Sequence, residues 1–374
     1  MAQRTTRRRS SSAVSISDAG KPIVGLLSAF VPRELLFALG CIPVRMFPTA
    51  AKPTAAEAYL PRNFCALTRN LLASFLEEKP PVQAVIFTDE DDSLRRLQDV
   101  WAECVPVPIW GSLEVPRTDD AIAIRYFASG LTRLARQLEL HTNEVLTARR
   151  LRAAISLYNQ QRRLLLSLKA SWLNGTLPTP LYRRLCRLGL TEHPQSANEV
   201  LQNQIDSLSA SADAPGVAGD ANGSAMRLLL IAELAAPAAL VRQLESQGAR
   251  VVAEVSDLDE LSVMQMVAET GETVDELLIA LAEAYLAKTP APRVRAPSRR
   301  LAYLTQLARE RAVDAVICAC SKFCDLPLAE YPLLKADMER IGIPVLLLEL
   351  EDETLSGQHR TRVEAFLETV RAHG

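Results

Sequence analysis

Hydrophobic and polar positions along this chain follow two alternating periods. Short continuous apolar runs over 23–27, 42–46, 83–88 and 105–110 have the character of strands buried on both faces. Between them lie stretches with the longer period of a helix. Pro32, Arg33 and Glu34 open one, with proline in the first turn and an acid at the positive helix end, and Gly40 closes it. Further helices are predicted over 61–78 and 93–103. From 151 to 172, Leu151, Ile155, Tyr158, Leu165, Leu168 and Trp172 recur near a 3.6 period, with Gly175 as the C-cap.

The stretch 207–225 is small, polar and glycine-containing, which predicts a flexible linker. Beyond it the alternation restarts. Strands are predicted over 227–232, 250–255, 313–319 and 343–349. Helices are predicted over 237–247, 274–288, 298–311 and 328–341 and from about Gln358, with a proline-rich break over 289–297. Strand–helix–strand repetition on this spacing means α/β architecture: two doubly wound parallel-sheet domains with a helical connecting region. The expected organisation is a disordered tail (1–20), an N-terminal α/β domain (21–140), a helical region (141–206), the linker (207–225) and a C-terminal α/β domain (226–374).

Composition narrows the picture. A chain of 374 residues suits two or three domains. With 42 basic against 44 acidic residues and a net charge of −2, no basic stripe offers itself to phosphates, so no nucleic-acid partner is expected. No apolar run reaches the length of a bilayer, so no membrane partner is expected either. Residues 1–17 are rich in Arg and Ser without an apolar core, which fits a disordered tail rather than a secretory signal. Seven cysteines, odd in number and without framework spacing, point to a reducing, cytoplasmic setting.

Open α/β sheets place ligands where strands hand over to helices. Three such junctions carry chemistry: Leu60-Pro61-Arg62-Asn63-Phe64-Cys65, Lys322-Phe323-Cys324-Asp325, and Gly357-Gln358-His359-Arg360-Thr361-Arg362. A thiol at a helix N-terminus is favoured as thiolate, the form that binds iron. The bland alternative is a small buried core residue. Cys318 falls inside an apolar run and reads as core, Cys324 lies just past the strand, and Cys320 is close enough to the strand end to serve as a spare ligand. A zinc site has no second CxxC or histidine pair to support it. The run Asp89-Glu90-Asp91-Asp92 reads first as helix capping, with Asp92 well placed as the N-cap, against binding of Mg²⁺ or simple solvation. Glycine-rich phosphate loops and the GxSxG elbow are absent.

Together these motifs resemble the family of 2-hydroxyacyl-CoA dehydratase and benzoyl-CoA reductase subunits. The resemblance runs from about Lys21 to the C-terminus. It rests on the junctions above together with Phe30-Val31-Pro32-Arg33-Glu34-Leu35, Gly40-Cys41-Ile42-Pro43-Val44-Arg45, the stretch from Asp92 to Trp101, Val313 to Ile317 and Gly342 to Leu346. The resemblance implies two flavodoxin-like domains and a [4Fe-4S] cluster held by three cysteines, with one iron open to a small ligand or substrate. It also implies a homologous second subunit in a heterodimer, an ATP-dependent iron–sulfur activator that delivers single electrons, and an acyl-CoA substrate.

Carried over by position, the cluster ligands are Cys65 and Cys324, and Asp91 stands where the family has its third cysteine. Ser28, after the first strand, matches a region beside the cluster and becomes the candidate catalytic residue. In such chemistry an open iron acts as Lewis acid on the thioester carbonyl while the cluster donates an electron. Dehydration then expels the 2-hydroxyl as water; the reductases reduce an aromatic ring. Aspartate is a harder ligand than thiolate. Relatives' cysteines are also missing near Ala291 and in 251–257. A cluster-free assembly subunit on the same fold is the alternative.

Overall fold

Two four-stranded sheets, parallel throughout, organise the molecule. The computed structural model describes residues 20–49, 52–212, 225–259, 266–287 and 297–373, so nearly all of the expected tail, most of the expected linker and most of the proline-rich break lie outside the described residues.

The first sheet contains β1 (Ile23–Leu26), β2 (Ile42–Arg45), β3 (Ala84–Thr88) and β4 (Ile109–Leu113) in the order β2-β1-β3-β4. Its helices are α1 (Arg33–Ala38), α2 (Ala66–Glu77) and α3 (Asp92–Cys104). All five residues of β3 are buried, as a central strand covered on both faces requires. β4 begins four residues later than its apolar run. Pro106 and Pro108 have no N–H for the ladder, and Val107 gives its carbonyl to the Trp101 indole N–H at 2.8 Å. Helix α2 likewise begins at Ala66 rather than at 61, because Pro61 to Phe64 make a turn closed by the Phe64 N–H on the Pro61 carbonyl at 3.0 Å.

Four helices follow: α4 (Ala121–Thr142), α5 (Ala148–Leu173), α6 (Thr179–Thr191) and α7 (Pro194–Ala212). Segment 121–142 has no place in the expected alternation. Its signals are Asp120, whose carboxylate accepts from the N–H groups of Ile122 and Ala123 at 2.9 Å, and a stripe of buried Ala123, Phe127, Leu131, Leu134 and Leu138. Gly111 lets this helix approach β4, since a Cβ there would run into Leu134. α7 continues through Ser207 to Ala212, into the stretch read as linker.

The second half contains β5 (Met226–Ala232), α8 (Ala238–Ser246), β6 (Ala249–Val255), α9 (Val274–Leu286), α10 (Pro297–Glu310), β7 (Ala315–Ser321), α11 (Asp325–Arg340), β8 (Val345–Leu350) and α12 (Gly357–His373). Its sheet order, β6-β5-β7-β8, repeats that of the first. The halves are stitched together in both directions. Leu277, Leu278 and Leu281 of α9 pack in the first core with Phe127 and Leu131, while Leu165, Leu168 and Trp172 of α5 pack in the second with Leu228 and Leu230. Burying these apolar faces is the main favourable term holding both units.

Candidate functional site

In each sheet the strand order reverses between the two central strands, so the carboxyl ends there form a crevice. Ser28 follows β1 and Glu90 follows β3, on either side of the first reversal. The Ser28 hydroxyl donates to Glu90 Oε2 and accepts from the Phe30 N–H at 3.0 Å. Both side chains are buried. In the second sheet Glu233 follows β5, and its carboxylate accepts from the N–H of Ser321, at the end of β7, at 3.1 Å.

These two edges meet. The Ala66 N–H donates to the Lys322 carbonyl at 2.9 Å, which joins the loop of Cys65 to that of Cys324. Asn70 Nδ2 donates to the Glu351 carbonyl at 2.6 Å, and Arg69 Nη2 to Glu351 Oε1 at 3.1 Å. On the other side, Arg45 at the end of β2 pairs with Asp257, just past β6, at 2.6 Å. Charged groups at a buried seam are tolerated when paired in this way.

Cys65 is the N-cap of α2 and Cys324 that of α11; both are buried and neither makes a side-chain capping bond. Each thiol therefore sits at the positive end of a helix dipole. Phe323, just before Cys324, has φ +61°, a left-handed conformation that a bulky residue adopts only under constraint. The chain thus brings the Cys65 and Cys324 loops together from opposite halves.

Asp91, and not Asp92, is the N-cap of α3: its Oδ1 accepts from the Leu94 N–H at 2.8 Å. Asp92 lies inside the helix, exposed, 3.7 Å from Arg96. The four acids of 89–92 have separate partners, Asp89 Oδ1 accepting from the Val115 N–H at 2.8 Å. Cys320 is within β7, opposite Glu349 in the ladder, and is buried in an apolar cluster with Leu334 and Met338. Burial, with Glu233 adding to it, pushes its thiol well above the ordinary range; burial pushes Cys318 up to about 12. Arg362 gives its Nη2 to the Leu347 carbonyl at 2.9 Å, a bond to the backbone of β8.

The family's three-thiolate set is tested by these contacts. Cys65 and Cys324 supply two sulfurs, Asp91 Oδ1 is engaged as a cap, and Cys320 is buried within β7. Among the described residues no three His, Cys, Asp or Glu side chains come together as a metal-holding group. The donors present do not fit a cluster held by three thiolates.

A second feature of this edge carried no signal in the motifs beyond an arginine closing an apolar strand. Arg45, Arg33 of α1 and Arg162 of α5 line a narrow cleft with Ser28, Asp257 and Tyr285. Arg162 is held by Glu34 Oε1 at 2.5 Å, and the Tyr285 hydroxyl donates to Glu34 Oε2 at 2.7 Å. Burial pushes the Glu34 carboxyl up, but the Arg162 charge and the Tyr285 hydroxyl outweigh it and hold it below the usual range.

Two parallel sheets with facing switch points, and a helix-capping cysteine from each half drawn to one seam, make a scaffold of two α/β units. The chain belongs to the family described as 2-hydroxyglutaryl-CoA dehydratase, D-component, which matches residues 28–370. It is similar to the (R)-phenyllactyl-CoA dehydratase beta subunit of Clostridium sporogenes, 22% identical, covering 95% of this chain and 93% of that one. It is 28% identical to the putative dehydratase subunit YjiM of Escherichia coli (strain K12), covering 95% and 93%. To a benzoyl-CoA reductase subunit of Thauera aromatica it is 23% identical, covering 91% and 88%. No helix among the described residues is long and apolar enough to cross a membrane.

Proposed function

We propose that this chain is one subunit of a heteromeric acyl-CoA dehydratase or aromatic acyl-CoA reductase. It works beside a homologous subunit, and an ATP-dependent iron–sulfur activator feeds the complex single electrons for ketyl-type radical chemistry. The observation that carries this reading is the family match over 28–370, with the chemistry-bearing loops of both halves drawn to one seam. In this reading the chain's own groups bind and orient the acyl group and exclude water. Ser28 Oγ and Glu90 Oε2 form the pair that holds a proton at the mouth of the cleft.

The cap made by Asp91 favours a second statement about the same subunit, that it works without a three-thiolate cluster of its own. Oxygen-free purification of the chain with its co-encoded homologue, followed by assay with an activator, ATP and a 2-hydroxyacyl-CoA, tests the main reading. Turnover that requires both subunits supports it; full turnover without this chain overturns it. Iron and sulfide analysis of the chain alone tests the second: well below four irons is expected. About four irons, falling in Asp91→Ala and kept in Asp91→Cys, would reverse it in favour of ligation by Cys65, Asp91 and Cys324.

A further inference from the structure

Away from the seam, two neighbouring helices present stripes of opposite charge to solvent. The exposed side of α4 carries Ile122, Arg125, Tyr126, Arg133, Arg136 and Leu140, and no carboxylate is exposed on it. The exposed side of α9 carries Asp275, Glu276, Ile279 and Glu283, and this helix has no basic residue. Leu277 and Leu281 of α9 pack with Phe127 and Leu131 of α4, so the stripes lie side by side. Arg152, in the second turn of α5, donates to the Gly271 carbonyl just before α9 at 2.6 Å. α9 therefore starts near the C-terminal end of α4 and runs back along it.

The charges of these stripes are not spent on each other. Among the described residues no carboxylate lies within ion-pair distance of Arg125, Arg133 or Arg136, and no basic side chain lies within that distance of Asp275 or Glu283. Large apolar side chains stand among them: Ile122 is 76% exposed, Tyr126 48% and Ile279 37%. Tyr126 donates its hydroxyl to Glu114 and leaves its ring open. Arginine and tyrosine among exposed aliphatic residues are the composition of protein contact surfaces, where an ordinary solvated helix face is lysine- and glutamate-rich.

We infer that this face pairs with the same face of a second copy of the chain. A two-fold axis along the groove between α4 and α9 lays the α4 of each copy on the α9 of the other. Both basic stripes then meet acidic ones, and Ile122, Tyr126 and Ile279 close the space between. An unlike partner would have to supply both stripes in matching order; a second copy supplies them by symmetry. Helices of 22 and 13 residues are about 33 and 20 Å long, so the face is at the small end of specific interfaces and suits micromolar association. The pairing does not depend on the acyl-CoA reading.

Sedimentation velocity on the full chain over a range of concentrations tests it. The wild-type protein is expected to dimerise, and raising salt from about 0.05 M to about 0.5 M should weaken the dimer about tenfold or more. The double variant Arg133→Glu with Arg136→Glu should be monomeric, and so should Asp275→Lys with Glu283→Lys. Mixed in equal amounts, the two variants should dimerise again, because each α4 then meets an α9 of opposite charge. All four positions are exposed, so the substitutions leave the fold in place. A wild-type chain that stays monomeric at every concentration overturns the pairing. A dimer indifferent to both double variants, or one that mixing fails to restore, overturns this face as its seat. If the chain alone is monomeric and the same variants abolish binding of the homologous subunit, the face belongs to that subunit and the second copy is ruled out.

Discussion

The two sheets share one strand order, but their carboxyl edges have opposite character. In each, a serine and a glutamate span the reversal point, with the positions exchanged. In the first half the serine follows the first central strand (Ser28 to Glu90); in the second the glutamate does (Glu233 to Ser321). Around the first pair stand Arg33, Arg45 and Arg162; around the second stand Glu351, Asp352 and Glu353. The helix after the second central strand also differs: Asp91 caps α3 with a hydrogen bond, whereas Cys324 caps α11 with none. A duplicated scaffold thus presents a basic and an acidic wall to the same seam, and fold alone assigns neither chemistry.

The largest expected effect lies beneath the basic wall. Glu34 and Arg162 are both buried and joined, so Glu34→Gln or Arg162→Met alone should cost about 3–5 kcal/mol by stranding a buried charge or polar group. Chemical denaturation measures it. The corresponding pair under the acidic wall, Arg183 with Glu254, is more open at its arginine end, 12% against 5% for Arg162. Its disruption should cost less, and equal costs would erase this part of the contrast. The Glu34 pair also gives a pH signature. Its folded carboxyl lies below the ordinary value of 4.5, so its contribution is complete above that pH and is lost as pH falls through the folded value. Glu34→Gln should flatten the stability profile in that acid window and leave the slope above it unchanged.

The caps give the next contrast. Asp91→Ala should cost about 1 kcal/mol, since a carboxylate on an N-terminal N–H is lost. Cys324→Ser should match or exceed wild-type stability by up to about 1 kcal/mol, because serine is a favoured cap residue where the thiol makes no capping bond. A thiol kept there at the expense of a better cap is kept for something other than stability. A Cys324→Ser variant destabilised as much as Asp91→Ala would show instead that the sulfur is needed for packing.

Much of the architecture was legible because it rests on patterns that are local in sequence. Apolar runs such as 23–27 and 83–88, punctuated by Gly40 and Gly248, encode strands and helix ends directly. The resemblance to the dehydratase family, carried by the junction motifs, is matched across residues 28–370. Less legible was whatever depends on partners distant in sequence. Asp91 and Asp92 are indistinguishable as caps until the turn geometry selects one. Cys320 reads as a strand-end thiol until the ladder extends to Ser321. The role of Arg45 depends on Asp257, 212 residues away.

The smallest effect concerns the thiols. Cys104 is the one cysteine of the seven that is not buried. Alkylation of the native protein should therefore mark Cys104 first, though slowly, since burial and Glu103 hold its thiol above the ordinary value. Cys41 and Cys318, pushed up to about 12 by burial, should resist throughout. Cys65 and Cys324 are as buried as these in the closed seam but stand at helix N-termini, where thiolate is favoured. If the seam between the basic and acidic walls opens in solution, these two should label together, ahead of Cys41 and Cys318, and an acyl-CoA held across the seam should protect both. Mass spectrometry of a labelling time course reads the order. Labelling of Cys65 without Cys324 would mean that the two loops open independently, against the Ala66–Lys322 bond that joins them.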